Sequence, residues 1–137
     1  MKYITIIVLA AAMLVSCQPS DDEKADKMLA TINGLYAKGA YRQVLDSITI
    51  LRERYPMAVE ARKKALVVWQ NASLKMAQAD VAKTDVQLQE VVSRLRQATD
   101  RYERNRLSVR RDSLQARYDA MCAVVKMIHI RQKQTKE

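Results

Sequence analysis

Phenylalanine is absent from this 137-residue chain, and tryptophan and histidine occur once each, as Trp69 and His129. A core must therefore be assembled from Leu, Ile, Val, Met, Ala and Tyr, which favours packed helices over a β-sandwich. A single imidazole, with no acidic cluster and no neighbouring nucleophile, makes neither a triad nor a metal site by itself. Its place in the last turns of a helix instead suits a partial positive charge. No constellation points to a catalytic residue, a cofactor or a metal. The only glycines are Gly34 and Gly39, the only prolines Pro19 and Pro56, and all four precede Met57. Nothing from Met57 to Lys133 punctuates a helix. Unbroken, these 77 residues would reach roughly 115 Å at about 1.5 Å per residue, and such a rod must find a partner for its apolar side.

What is present begins with an export signal. Lys2 is a short basic region, Ile4 to Leu14 is an apolar run interrupted only by Thr5, and Val15-Ser16 leads into Cys17. A run of this length falls well short of the roughly twenty residues that span a bilayer, so a cleaved signal is expected rather than a retained membrane helix. Leu14-Val15-Ser16-Cys17 resembles the lipobox of bacterial lipoproteins. That resemblance implies cleavage between Ser16 and Cys17, lipid on the Cys17 thiol, and a chain anchored to a membrane rather than spanning it. The plainer alternative is a buried cysteine ending an ordinary signal peptide. Gln18 stands where aspartate would favour inner-membrane retention, which makes the outer membrane the expected address.

Ser20-Asp21-Asp22-Glu23 reads physically as a capping box. Ser20 can accept from a first-turn amide, and the acids suit the positive end of a helix dipole. The same four residues also resemble the acidic surface-export signal of Bacteroidota lipoproteins, so both the periplasmic face and the cell surface remain open. Short lipoproteins of that phylum are also similar in Arg111-Asp112-Ser113-Leu114-Gln115 and Lys126-Met127-Ile128-His129.

Ala25, Met28, Leu29, Ile32, Leu35 and Tyr36 fall on one face of a helix that Gly39 stops. Tyr41, Val44, Leu45, Ile48, Leu51 and Tyr55 define a second, which Pro56 closes. Lys38-Gly39-Ala40-Tyr41, with Val44, Ile48, Leu51 and Tyr55-Pro56, resembles the second half of a tetratricopeptide repeat. The first half departs from the pattern, with Ile32 in place of glycine and Met28 in place of an aromatic, and there is no second copy. One repeat cannot bury its own face, so Ala61, Ala65, Val68, Trp69, Ala72 and Met76 are expected to form a third, covering helix. Trp69 is expected as the largest core anchor of this head, with a ligand-binding aromatic as the alternative.

Beyond Met76 the pattern turns to heptads. Val81, Leu88, Leu95, Tyr102 and Val109 recur every seven residues, with Ala77, Thr84, Val91, Ala98 and Asn105 between them. A second series, Leu107, Leu114, Met121 and Ile128 with Tyr118 and Val125, is out of phase with the first. The slip coincides with the charged run Glu103 to Asp112. It predicts a bend near residues 104–110 and a second arm capped by Asn105 or Ser108, giving an antiparallel coiled-coil hairpin. The alternative is one continuous helix dimerising as a rod.

Lys and Arg number 24 against 15 acids, a formal charge of +9. From Arg94 onward twelve basic residues stand against five acidic ones. Arg94, Arg101, Arg104, Arg110, Arg111 and Arg117 form a candidate anion-binding face, set against the plainer reading of a solvated helix exterior. Export and the lack of interleaved aromatics argue against nucleic acid. Asp46-Ser47-Ile48 and Asp112-Ser113-Leu114 resemble the O-glycosylation acceptor of the Bacteroidota, making Ser47 and Ser113 candidate sites. Cys122 is expected to pack beside Met121, with a bridge between two chains as the oxidised alternative.

The expected organisation is all-α. It comprises a signal peptide at 1–16, a lipidated tether at 17–23, a tetratricopeptide-like three-helix head at 24–76, a coiled-coil hairpin or rod at 77–133, and a tail at 134–137. The expected role is a non-enzymatic scaffold or adaptor anchored through lipid on Cys17, holding another envelope protein and able to homo-oligomerise through its coiled coil. The alternative is a binding module for anionic envelope polymers such as lipopolysaccharide or peptidoglycan.

Overall fold

A computed structural model describes residues 19–135. Ser16, Cys17 and the lipobox lie outside the described residues, as do Lys136 and Glu137. The described chain is all-α: α1 (Asp21–Ala37), α2 (Tyr41–Arg54), α3 (Val59–Gln97) and α4 (Arg101–Gln134).

The first three helices form the head, and local chemistry explains their ends. The Ser20 hydroxyl accepts from the Glu23 amide at 3.2 Å, with Asp21, Asp22 and Glu23 in the first turn of α1. This hydrogen bond satisfies one of the amides that the first turn leaves unpaired, and the acids offset its positive end. At the other end Gly39 takes φ 74°, its amide reaches Tyr36 O and the Ala40 amide reaches Leu35 O. That left-handed glycine with paired return bonds is a Schellman stop, a conformation that a Cβ disfavours. The Tyr36 and Tyr41 rings meet across the turn, with centroids 5.4 Å apart. After α2, Pro56 lies in a short connection whose carbonyl accepts from the Arg62 guanidinium.

Ile32, Val44, Ile48 and Leu51 form the centre of the head against Ala65 and Ala72 of α3. All six are essentially inaccessible, and full burial of each large side chain contributes about 1.5–3 kcal/mol. Alanines at 61, 65 and 72 let α3 approach closely. Ala25, Ala58 and Ala61 extend this contact to the start of α1 and α3, which places the first turn of α1 at the base of the head.

α3 continues without interruption through residue 76, then projects roughly 30 Å past the head, with α4 returning antiparallel beside it. The bonds that cross the pair run from tip to base: Arg94 to Glu103, Arg117 to Asp80, Gln132 to Asn71 and Gln70 to Thr135. On α3 the inward face carries Ala77, Thr84, Leu88 and Val91, all buried. On α4 it carries Leu107, 3% exposed, and the half-buried Leu114, Tyr118, Met121, Val125 and Ile128.

Several expectations are corrected. The bend lies at residues 98–100, not 104–110, and the charged run belongs to the first turns of α4. Asp100, rather than Asn105 or Ser108, caps the second arm, accepting from the Glu103 amide at 2.8 Å. Ala98 and Asp100 take extended backbone with ψ 123° and 134°, and Gly39 is the sole positive-φ residue among those described. A turn made this way needs no glycine. Because the helix breaks there, the first heptad series ends at Ala98, and Tyr102 and Val109 are 77% and 71% exposed. The expected tail is in part helical, since Gln134 ends α4 and Thr135 caps it.

Trp69 is the largest correction, at 39% exposed. It lies about 60° round the helix from the centre of the alanine stripe, and a contact set by alanines leaves no room for an indole between the helices.

Candidate functional site

Two surfaces stand out, one at each end of the long hairpin. Near the base, Trp69 and Leu66 of α3 face Met127 and Ile128 of α4 across an open groove of about 540 Å³. Arg131, Gln134 and Thr135 give it a polar end. The Gln70 amide donates to Thr135 at 3.0 Å and the Gln132 amide to Asn71 at 2.9 Å, so the groove walls are held in register by side chains. Trp69 thus sits between the head face and the α4 face of one helix. Met127, 55% exposed, and Ile130, 43% exposed, extend the apolar surface beside it.

At the tip, Arg101, Arg104 and Arg111 surround a cavity of about 550 Å³ that is completed by Leu95, Thr99, Asn105 and Ser108. Every charged group lining it is a cation, while Asn105, Ser108 and Thr99 offer neutral hydrogen bonds. The six arginines expected to form one face do not do so. Arg94 is drawn to Glu103 at 3.6 Å, and Arg117 holds Asp80 through two bonds of 2.6 and 2.9 Å. These exposed pairs brace the hairpin at about 1 kcal/mol or less each. Arg111 contacts Asp112 at 2.7 Å while still lining the cavity, and Arg110 is exposed on a different side of α4. The missed signal for the tip is Asp100-Arg101-Tyr102-Glu103, a cap with its acid three residues on. It starts α4 early enough to bring Arg101, Arg104, Asn105, Ser108 and Arg111 onto one stripe.

Midway along the hairpin, Gln78, Val81, Ala82 and Asp85 of α3 and Tyr118, Cys122 and Val125 of α4 line a smaller cavity of about 310 Å³. Cys122 raises the Tyr118 phenol above its ordinary range, first through their hydrogen bond and then through its own charge when ionised, and the Asp85 carboxylate adds to this. Cys122 is unbridged and half-buried. His129 is exposed, and no cluster of three or more His, Cys, Asp or Glu side chains suited to a metal occurs among the described residues.

The remaining sequence candidates are scattered. Ser20, Asp21, Asp22 and Glu23 form the exposed start of α1. Ser47 is half-buried inside α2, next to Ile48 at 1% exposure, whereas Ser113 is exposed on α4. No described helix is long and apolar enough to cross a membrane. No protein family, curated protein or solved structure is recognisably similar to the chain.

Proposed function

We propose that the chain is a cell-envelope lipoprotein, anchored through lipid on Cys17 at the outer membrane, that acts as a non-enzymatic adaptor for another envelope protein. The observation that carries this reading is the groove around Trp69. A large aromatic left exposed beside Leu66, Met127 and Ile128, with Arg131 at the rim, has the composition of a protein-contact hot spot. Its position supports the role, because the tether and the groove share the end of the molecule from which the hairpin projects. The tetratricopeptide-like turn and the coiled-coil spacing fit an interaction module equally well. Crosslinking in intact cells, followed by mass spectrometry, should capture one dominant envelope protein, and Trp69→Ala should remove it. Capture that is unchanged by Trp69→Ala rejects the groove. Cys17→Ala should abolish fatty-acid labelling, and persistence of the label removes the anchor.

A second reading has its own support in the cation-lined cavity at the tip. There Arg101, Arg104 and Arg111 would take the phosphates or carboxylates of an anionic envelope polymer. At the base, by contrast, Asp21, Asp22, Glu23, Asp26 and Glu60 are interspersed with Lys24, Lys27, Arg62, Lys63 and Lys64, and Asp21 and Glu60 are paired with Lys24 and Lys63. The chain lacking residues 1–17 should then retain lipopolysaccharide or peptidoglycan in a salt-sensitive way. If it does so and captures no protein, the adaptor reading is lost.

A further inference from the structure

The side of α4 outside its contact with α3 is uncovered and patterned, and at its base end Met127 also borders the Trp69 groove. Ser113, Ala116, Ala120, Ala123, Met127 and Ile130 are all exposed and follow one another at alternating steps of three and four residues. That is the spacing of a helix seam. It runs parallel to the buried series Leu107, Leu114, Met121 and Ile128 but is displaced by two residues, roughly 200° round the helix. α4 therefore presents one seam to α3 and a second to the outside.

Two asymmetries in this outer seam specify its partner. Its first half is small, Ser113, Ala116 and Ala120, and its second half ends in the large Met127 and Ile130. Along one edge, at intervals of seven, stand Asp112, Asp119, Lys126 and Lys133, all exposed, with the acids in the first half and the lysines in the second. From these we infer that the outer face of α4 pairs with the same face of a second copy of this chain, antiparallel, about a two-fold axis between Met121 and Cys122. Ala120 then faces Ala123 of the second copy in a close central contact, while Ala116 faces Met127 and Ser113 faces Ile130, so small meets large at both ends. Asp119 meets Lys126 of the second copy and Asp112 meets Lys133, each twice by symmetry. A parallel pairing would set Ala120 on Ala120 and Met127 on Met127, giving uneven spacing, and would leave Asp119 beside Val124 and Lys126 beside Arg131 of the second copy.

The charges on this surface have competing partners on their own chain, and these set the strength of the contact. Asp112 contacts Arg111 at 2.7 Å and Asp119 accepts from the Gln115 amide at 3.0 Å. The opposite edge of the seam carries Arg110, Arg117, Val124 and Arg131. Arg117 is held by Asp80, while Arg110 and Arg131 of the second copy approach each other and swing their long side chains into solvent. The dimer is therefore reversible, and its orientation is set by the Asp–Lys edge.

The test uses the chain lacking residues 1–17, whose removal takes away none of the contacts described above. Sedimentation up to about 100 µM should show a monomer–dimer equilibrium. Asp119→Lys should weaken it at least about tenfold, and the charge swap Asp119→Lys with Lys126→Asp should restore it. Ala120→Glu should abolish it, with circular dichroism checking that each variant keeps its helix content. In a Cys122→Ser background, nitroxides on Arg106→Cys should lie roughly 46 Å apart along the axis, whereas a parallel pair would bring them close together. A protein monomeric throughout this range overturns the inference. So does a short like-to-like label distance, or a dimer indifferent to both Asp119→Lys and Ala120→Glu.

Discussion

Removing the carboxylate of Asp100 tests the position of the turn in the long hairpin. Asp100 Oδ2 accepts from the Glu103 amide at 2.8 Å, and its backbone oxygen accepts the first helical bond, from the Arg104 amide, at 3.0 Å. Asp100→Ala leaves the second bond and deletes the first, freeing an amide at the positive end of a 34-residue helix. The site is exposed, so water partly replaces the lost acceptor, and the expected cost is about 1 kcal/mol. Asp100→Asn keeps an oxygen in place and loses only the charge at the helix end, so its cost should be at the low end of about 0.3–1 kcal/mol and below that of Asp100→Ala. Asn105→Ala and Ser108→Ala, which lie inside α4, should each change stability by less than about 0.5 kcal/mol. Urea unfolding reads these as midpoint shifts, about 0.3–1 M for Asp100→Ala at the slopes usual for small domains. Hydrogen exchange separates a frayed end from a global loss: the Glu103 and Arg104 amides should exchange faster in Asp100→Ala, while those near Leu114 should not. If Asn105→Ala or Ser108→Ala proves costlier than Asp100→Ala, the turn belongs in the charged run and the assignment of the cap is wrong.

Leu107, 3% exposed where the hairpin leaves its tip, should cost about 2–4 kcal/mol as Leu107→Ala, measured by urea unfolding. The two glycines should respond with opposite signs, since a Cβ at either meets nothing within 4 Å. Gly34→Ala, inside α1, should stabilise by about 0.5–1 kcal/mol, and Gly39→Ala, at φ 74°, should destabilise by a similar amount or more in thermal melts. Tyr118 should ionise above the ordinary phenol value of about 10. Because folding raises its pKa, its stabilising contribution is complete below the unfolded value and is lost as pH rises through the folded one. Cys122→Ala removes the hydrogen bond and with it the neighbouring ionisable thiol, so an ultraviolet titration should find Tyr118 ionising at lower pH than in the parent.

The head was legible where a residue has one physical job. Ser20 caps, Gly39 turns left-handed, Pro56 interrupts, and the stripe from Ala25 to Ile32 has only one face to bury. α3 defeats the same reasoning because it has two. Ala61, Ala65, Val68 and Ala72 address the head, Ala77, Thr84, Leu88 and Val91 address α4, and Trp69 lies between these directions and joins neither core. The turn was misplaced for a related reason. The phase slip points to a break in the helix, but the charge density from Glu103 to Asp112 points to a bend near 104–110 only if arginine is discounted as the good helix former that it is. The cap that decides the matter is a single aspartate three residues before a glutamate. The arginines at the tip were visible as charge. Their division between bracing the hairpin and lining a cavity depends on which acids on the other helix come within reach.

The uninterrupted course of α3 through both halves of the molecule has a dynamic consequence. The wall that closes the head is the same rod that supports the tip, so neither half can let go without loosening the other. Fraying of the outer turns can stay local, since little beyond Leu107 is buried there. Once separation of α4 reaches Gln70 and Asn71, however, it exposes the back of the helix whose front seals Ile32, Ile48 and Leu51. Force or binding energy applied at the far end would thus reach the base, where α1 and α3 begin, along a single unbroken helix.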